Sequence, residues 1–216
     1  MKRQVWTGAR QWAGNLLPML ICVPFGVGAI LFFDPSRGLS GASLLCAILF
    51  PAVGWLSLNW LGLWGNESMR RQVTRLYERT EPPPDWGRIW VGAARPSFRG
   101  VLDPHEEVGF LILRPAELEF FSETVRLKLP KSTLTAIRTG VNPHSLVGLG
   151  GWVVLVGEID GQPILFRVEP RESPTLWGNV RQRSRLRDTL TQWLKSEGSE
   201  PPQSGSDPSA GGVVSS

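Results

Sequence analysis

The chain of 216 residues carries 23 basic and 19 acidic side chains, a net charge of +4, and is long enough for one ordinary soluble domain of about 100–150 residues plus a smaller accessory region. Glu197, Glu200 and Asp207 lie in the final stretch, so residues 1–195 alone carry +7, an excess suited to anionic lipid headgroups or acidic partners. No zinc-finger, RNP or helix-turn-helix pattern accompanies it, and a nucleic-acid partner is not expected.

Residues 13–33 contain no ionisable side chain, and at about 1.5 Å per residue a helix of that length crosses a hydrocarbon core about 30 Å thick. Residues 39–64 are likewise uncharged and somewhat longer, enough to span with tilt. Between them Asp34-Pro35-Ser36-Arg37-Gly38 has the composition of a tight turn. Cys22 and Cys46 sit inside these apolar segments and read as small hydrophobes, so neither a disulfide framework nor a metal site is expected.

A cleaved signal peptide is the rival for residues 1–33, with Lys2, Arg3 and Arg10 as its basic start. The apolar stretch exceeds the 7–15 residues of a signal core, and no small-x-small cleavage site follows it. Ile21 also stands before Cys22, where a lipoprotein site needs a small residue.

The flanks set the orientation. Lys2, Arg3 and Arg10 precede the first span, Arg70, Arg71, Arg75 and Arg79 follow the second, and the turn holds only Arg37. Both ends are therefore expected in the cytoplasm, as a multi-pass protein of a bacterial inner membrane. Trp6, Trp12, Trp60 and Trp64 are expected as anchors in one interfacial belt. Ser43 and Ala47 form a small-xxx-small pair for helix packing, and Asn59 is placed to bond across the helices. Pro18, Pro24 and Pro51 are potential kinks. With no charged residue in either span, anchoring is favoured over transport; a pore would require a homo-oligomer.

Met69, Val73, Leu76 and Tyr77 recur at helical spacing among Arg70, Arg71, Arg75, Glu78 and Arg79, which predicts an amphipathic juxtamembrane helix over residues 67–79, lying along the headgroups. Pro82, Pro83 and Pro84 form a stiff spacer, so that residues 67–85 make up the link to the next domain.

From Ile89 the period changes to that of strands. Strands are expected at residues 89–94, 107–113, 118–120, 125–129, 134–139, 152–159 and 164–168, with a turn at Arg114-Pro115-Ala116-Glu117 and a hairpin at Asp160-Gly161. Ser173 and Pro174 then offer an N-cap and a first-turn proline for a closing helix, with Leu176, Val180, Leu186, Leu190 and Leu194 on one face. Arg183 falls on the same face, which leaves either a snorkelling side chain or a bend. Residues 196–216, rich in Ser, Gly and Pro, are expected to be a disordered tail.

Seven short strands followed by one helix resemble the pleckstrin-homology-like superfold, and EVGFLILRPAELEFFSETVRLKL, from Glu107 to Leu129, is similar to its GRAM-type and bacterial members. The resemblance covers residues 86–195. It implies a mainly-β domain, a bent sheet or partly open barrel capped by its C-terminal helix, that binds lipid, peptide or protein without catalysis. Phosphoinositide-binding members carry several basic residues in the first hairpin loop, whereas here only Arg114 stands beside Glu117. Arg126, Lys128 and Lys131, together with Arg70, Arg71 and Arg75, are the candidates for nonspecific contact with a lipid surface.

Chemistry is sparse. His105 beside Glu106 and Glu107 is a candidate acid-base or metal cluster with His144, but neighbouring strand residues point to opposite faces. Gly148, Gly150 and Gly151 precede a strand-like run where a phosphate loop needs a helix. No nucleophile elbow or Walker lysine is present, and no cofactor is expected. Two functions remain: a membrane-anchored adaptor that binds a membrane or cytoplasmic protein partner or the lipid surface, and an accessory subunit of a transport or envelope complex that docks through its hairpin.

Overall fold

The computed structural model describes residues 5–36, 38–80, 87–98 and 104–196. The flanking Lys2 and Arg3, the turn residue Arg37, the proline spacer and the tail beyond Ser196 lie outside the described residues.

Two helices open the chain, α1 (Gly8–Leu31) and α2 (Gly41–Leu61), each long and apolar enough to cross a membrane. Thr7 and Ser40 cap their N-termini by accepting from Arg10 N and Ser43 N. The connection is tight because Asp34 Oδ1 accepts from Ser36 N at 2.9 Å, Gly38 takes a positive φ of 79°, and Phe33 pairs with Leu39. Pro18, Pro24 and Pro51 lie inside these helices without ending them.

The seam between the helices is made of small residues. Ser43 is buried and donates through Oγ to Ala29 O at 2.7 Å. A side chain at Gly28 would meet Cys46, one at Gly26 would meet the Phe50 ring, and one at Gly54 would meet Cys22. Ala47, expected in this seam, is exposed instead. The contact row runs Ser43, Cys46, Phe50, Gly54, with steps of three, four and four that carry it past Ala47. The outward faces stay uncovered, with Leu20, Ile30, Leu31 and Ile48 all more than half exposed.

After the turn at residues 62–65, α3 (Asn66–Thr80) leads to the sheet. The strands are β1 (Arg88–Ala94), β2 (Glu107–Leu113), β3 (Glu117–Ser122), β4 (Arg126–Pro130), β5 (Leu134–Gly140), β6 (Trp152–Ile159) and β7 (Gln162–Pro170), followed by α4 (Leu176–Lys195). All pairs are antiparallel, in the order β4-β3-β2-β1-β7-β6-β5. At the tip joining β6 to β7, Asp160 and Gly161 take φ of 49° and 75°, the primed turn whose twist matches a two-residue hairpin.

Both faces of β2 are covered. Leu111 and Leu113 face the main core, which Leu186, Leu190 and Trp193 of α4 close from one side. Val108, Phe110 and Ile112 face a second core, where Trp90, Phe110 and Phe121 line up across three strands under Tyr77, Met69 and Val73 of α3. The Tyr77 and Phe121 rings meet edge to face at 5.0 Å.

Three expectations are thereby corrected. The apolar stripe of α3 is not available to headgroups, because Met69, Val73 and Tyr77 are fully buried against the sheet and a stripe can be buried only once. Trp6 is not an exposed anchor: with Val5 it is sealed into the second core, where its indole N–H donates to His105 O at 3.3 Å. The N-cap of α4 is Thr175, accepting from Gly178 N at 3.2 Å, while Ser173 N donates to Asn179 Oδ1.

The burial of α3 yields a direct check. Met69→Ala is expected to destabilise the full chain by about 2–5 kcal/mol in denaturant titrations, the cost of a core cavity, whereas Arg75→Ala on the exposed face stays within about 0.5 kcal/mol. Equal, small effects of both would return α3 to the headgroups.

Candidate functional site

A buried polar joint binds the helical hairpin to the sheet. Arg171 follows β7 and is only 2% exposed, as is His105 before β2. Asn66, the first residue of α3, accepts through Oδ1 from Trp90 Nε1 at 2.8 Å and from Arg171 Nε at 3.2 Å, and donates through Nδ2 to Arg171 O at 2.6 Å. The turn that delivers Asn66 relies on Gly65 at φ 75°. The Trp6 ring lies 5.0 Å from the Arg171 guanidinium.

Arg171 Nη1 also faces His105 Nδ1 at 3.3 Å. A guanidinium only donates, so Nδ1 accepts and the ring proton sits on Nε2, which lies 2.9 Å from Glu169 Oε2. Both oxygens of Glu169 accept hydrogen bonds: Oε2 from Asn142 Nδ2 at 2.9 Å, and Oε1 from Gly151 N at 2.9 Å. One carboxylate, one imidazole and one guanidinium thus form a relay whose opposite charges offset inside the protein. Gly92 makes the site possible, since a Cβ there would overlap the His105 ring.

The expected cluster around His105 separates. Glu106 turns outward to Arg95, whose Nε donates to it at 3.1 Å; that hydrogen bond, then the opposite charge, raises the Arg95 pKa above its ordinary value. Glu107 accepts from Thr124 Oγ1. His144 is buried beside Gly150. Among the described residues no three His, Cys, Asp or Glu side chains gather as for a metal ion. Asn66, Glu169 and Arg171 went unnoticed in the sequence; the spacing of Glu169 and Arg171, on one face at the end of an apolar strand, is the only trace they leave.

The candidate lipid-contact residues are dispersed and mostly paired. Arg71 Nε donates to Glu67 at 2.9 Å, Arg70 lies 4.0 Å from Glu172, and Arg75 is exposed. On the sheet, Arg126 Nε contacts Glu119 at 2.6 Å and Lys128 contacts Glu117 at 3.1 Å. Lys131 binds Ser196 and sits 5.4 Å from the Trp193 ring. Glu119 has no exposed side-chain surface and holds Arg114 as well as Arg126. Trp12, Trp60 and Trp64 are more than half exposed at the domain end of the hairpin. Asn59 turns to α4, not to α1, and accepts from Trp177 N at 2.8 Å.

A groove of about 770 Å³ opens at the far end of α4, lined by Thr135, Ala136 and Ile137 of β5 and by Thr191, Leu194 and Lys195 of the helix. β5 ends the sheet, so its outer edge carries no strand partner among the described residues. A bulge at Thr135 interrupts its register with β6.

Compared with models of protein families and with curated proteins, the chain matches none.

The relay predicts a steep stability loss. Glu169→Ala strands the Asn142 Nδ2 and Gly151 N donors and leaves Arg171 uncompensated, so denaturant titration followed by tryptophan emission should report a loss of about 3–5 kcal/mol. A loss below about 1 kcal/mol would mean that the joint is not holding the domain.

Proposed function

We propose that the chain is a noncatalytic, membrane-anchored adaptor of pleckstrin-homology-like, GRAM-type architecture whose domain holds an extended segment of a protein partner along β5. The helical hairpin crosses a bacterial inner membrane, with both ends on the cytoplasmic side. The observation that carries the reading is the open edge of β5 beside the α4 groove. An unpaired edge offers a row of N–H and C=O groups to an added strand, and the neighbouring groove supplies pockets for alternate side chains.

Two further features favour a protein over a lipid surface as ligand. Arg126 and Lys128 already have carboxylate partners, which blunts their attraction for headgroups. The groove is also remote from the hairpin: α4 is pinned to α2 at Trp177, and Leu194 lies roughly 26 Å further along the helix. The order β4-β3-β2-β1-β7-β6-β5, closed by one C-terminal helix, supports the architecture.

A photoreactive residue at Thr135, which is exposed in the groove, should give one discrete adduct in native membranes, mapping to an extended segment of the captured protein. Ala136→Arg, filling the groove with a charged chain, should abolish it. Adducts from Ile48 on the outer face of α2, with none from Thr135, would instead favour an accessory subunit docking through its hairpin.

A further inference from the structure

Among the described residues, the segment joining β5 to β6 carries the most exposed apolar side chains of the domain. Val141 is 85% exposed and Leu146 is 90% exposed, with Val147 beside them at 48%. They are not on a loose loop. A one-turn helix over Pro143–Val147 is closed by a capping box between Asn142 and Ser145, Gly148 ends it in the left-handed region, and Ser145 Oγ donates to Gly150 O. Asn142 is itself tied to Glu169, and Arg183 Nη1 donates to Gly150 O at 3.0 Å. The fold therefore holds these side chains outward against the hydrophobic effect.

Their position explains what covers them. Trp55 Nε1 of α2 donates to Val147 O at 3.1 Å, and the Trp55 and Trp177 rings meet at 6.2 Å. Leu149 is buried with Leu63 and Leu176, and Leu58 packs against them. Trp55 lies six residues before the end of α2, about 9 Å back along its axis. Helical side chains lean toward the helix N-terminus, here away from the domain. The Val147 carbonyl thus sits alongside the apolar stretch of α2 and not beyond its end. Arg181 lies 5.4 Å from the Trp177 ring, giving the aromatic and guanidinium chemistry of a membrane interface.

We infer that the turn around Leu146 is a second membrane contact, seated in the boundary between headgroups and acyl chains beside α2. The inference rests on α1 and α2 being membrane spans. Given that, lipid that covers α2 to its last turn also meets a loop bonded to Trp55. The domain is then seated in the membrane surface and does not swing on a tether, and its apolar contact comes from this loop and not from α3.

The test uses the full chain with Cys22→Ala and Cys46→Ala, carrying a single fluorescent label at Leu146→Cys, in vesicles of phosphatidylethanolamine and phosphatidylglycerol. Ile48→Cys and Arg185→Cys give the lipid and water references, and Val141→Cys provides a second probe of the loop. The label at 146 should be quenched by nitroxide-bearing lipids and be several-fold less accessible to aqueous iodide than the label at 185. If 146 and 141 behave like 185 while 48 remains in lipid, the loop contact is refuted and the spans stand. If 48 is also open to iodide, the membrane reading itself fails. Protection of 146 from iodide without lipid quenching would assign the loop to a protein neighbour and overturn the inference.

Discussion

The constraint on which the rest depends is a guanidinium sealed from water. Arg171 stands where the last strand leaves the sheet, and a buried cation is tolerated only if its donors are met and its charge is offset. Asn66 arrives from the end of the hairpin and His105 from the approach to β2, while the charge is answered through the imidazole by Glu169. Satisfying one side chain therefore brings together segments that are up to 105 residues apart in sequence. The relative placement of hairpin and sheet follows, since Asn66 can reach Arg171 and Trp90 only when α2 ends against the domain.

The same joint fixes which surfaces remain for other uses. Trp6, drawn onto Arg171 and His105, returns the start of α1 to the domain, so both ends of the hairpin lie on its side. The stripe of α3 is consumed by Phe110, Phe121 and their neighbours, and burying three large side chains there is worth roughly 1.5–3 kcal/mol each. Among the described residues, most of the exposed apolar surface is the outer surface of α1 and α2, the three tryptophans at their domain end and the turn around Leu146. These are continuous with one another through Trp55 and Trp177.

Local pattern made much of this architecture legible. The expected limits of residues 107–113 and 152–159 coincide with β2 and β6, because alternation there is bounded by turn chemistry at both ends. The amphipathic period of α3 was also plain, but periodicity reports only that a face is buried, not by what. Lipid and a sheet are equivalent to Met69 and Val73; only the aromatic row of Trp90, Phe110 and Phe121 decides between them, and it assembles from three strands. Trp193 was left off the expected face of α4 although it is almost fully buried and falls on that face, three residues after Leu190 and seven after Leu186; its Nε1 also donates to Arg114 O across the domain. Ser43 lies in the seam and Ala47 does not, because a small-xxx-small spacing is met by many pairs and the seam selects one through the partner's glycines. Beyond the spacing of Glu169 and Arg171 the joint had no local signature, because its bonds join residues distant in sequence.

α4 links the two regions that matter for the proposed role. Its first turn is fastened to α2 through Asn59 and Trp177, and its last turn forms one wall of the groove beside β5. Between them Leu186, Leu190 and Trp193 pack into the main core, and Arg183 crosses to the Gly150 carbonyl, a contact that requires glycine at 151 because any Cβ would occupy the guanidinium's position. The Arg183 side chain that looked misplaced on an apolar face is thus the tie between α4 and the β5–β6 turn. A helix held at its start by the hairpin, along its length by the core and at one mid-point by Gly150 has little freedom to pivot. Any segment added to β5 would therefore be presented at a defined position relative to the hairpin, which is what an adaptor needs and a flexible tether does not provide.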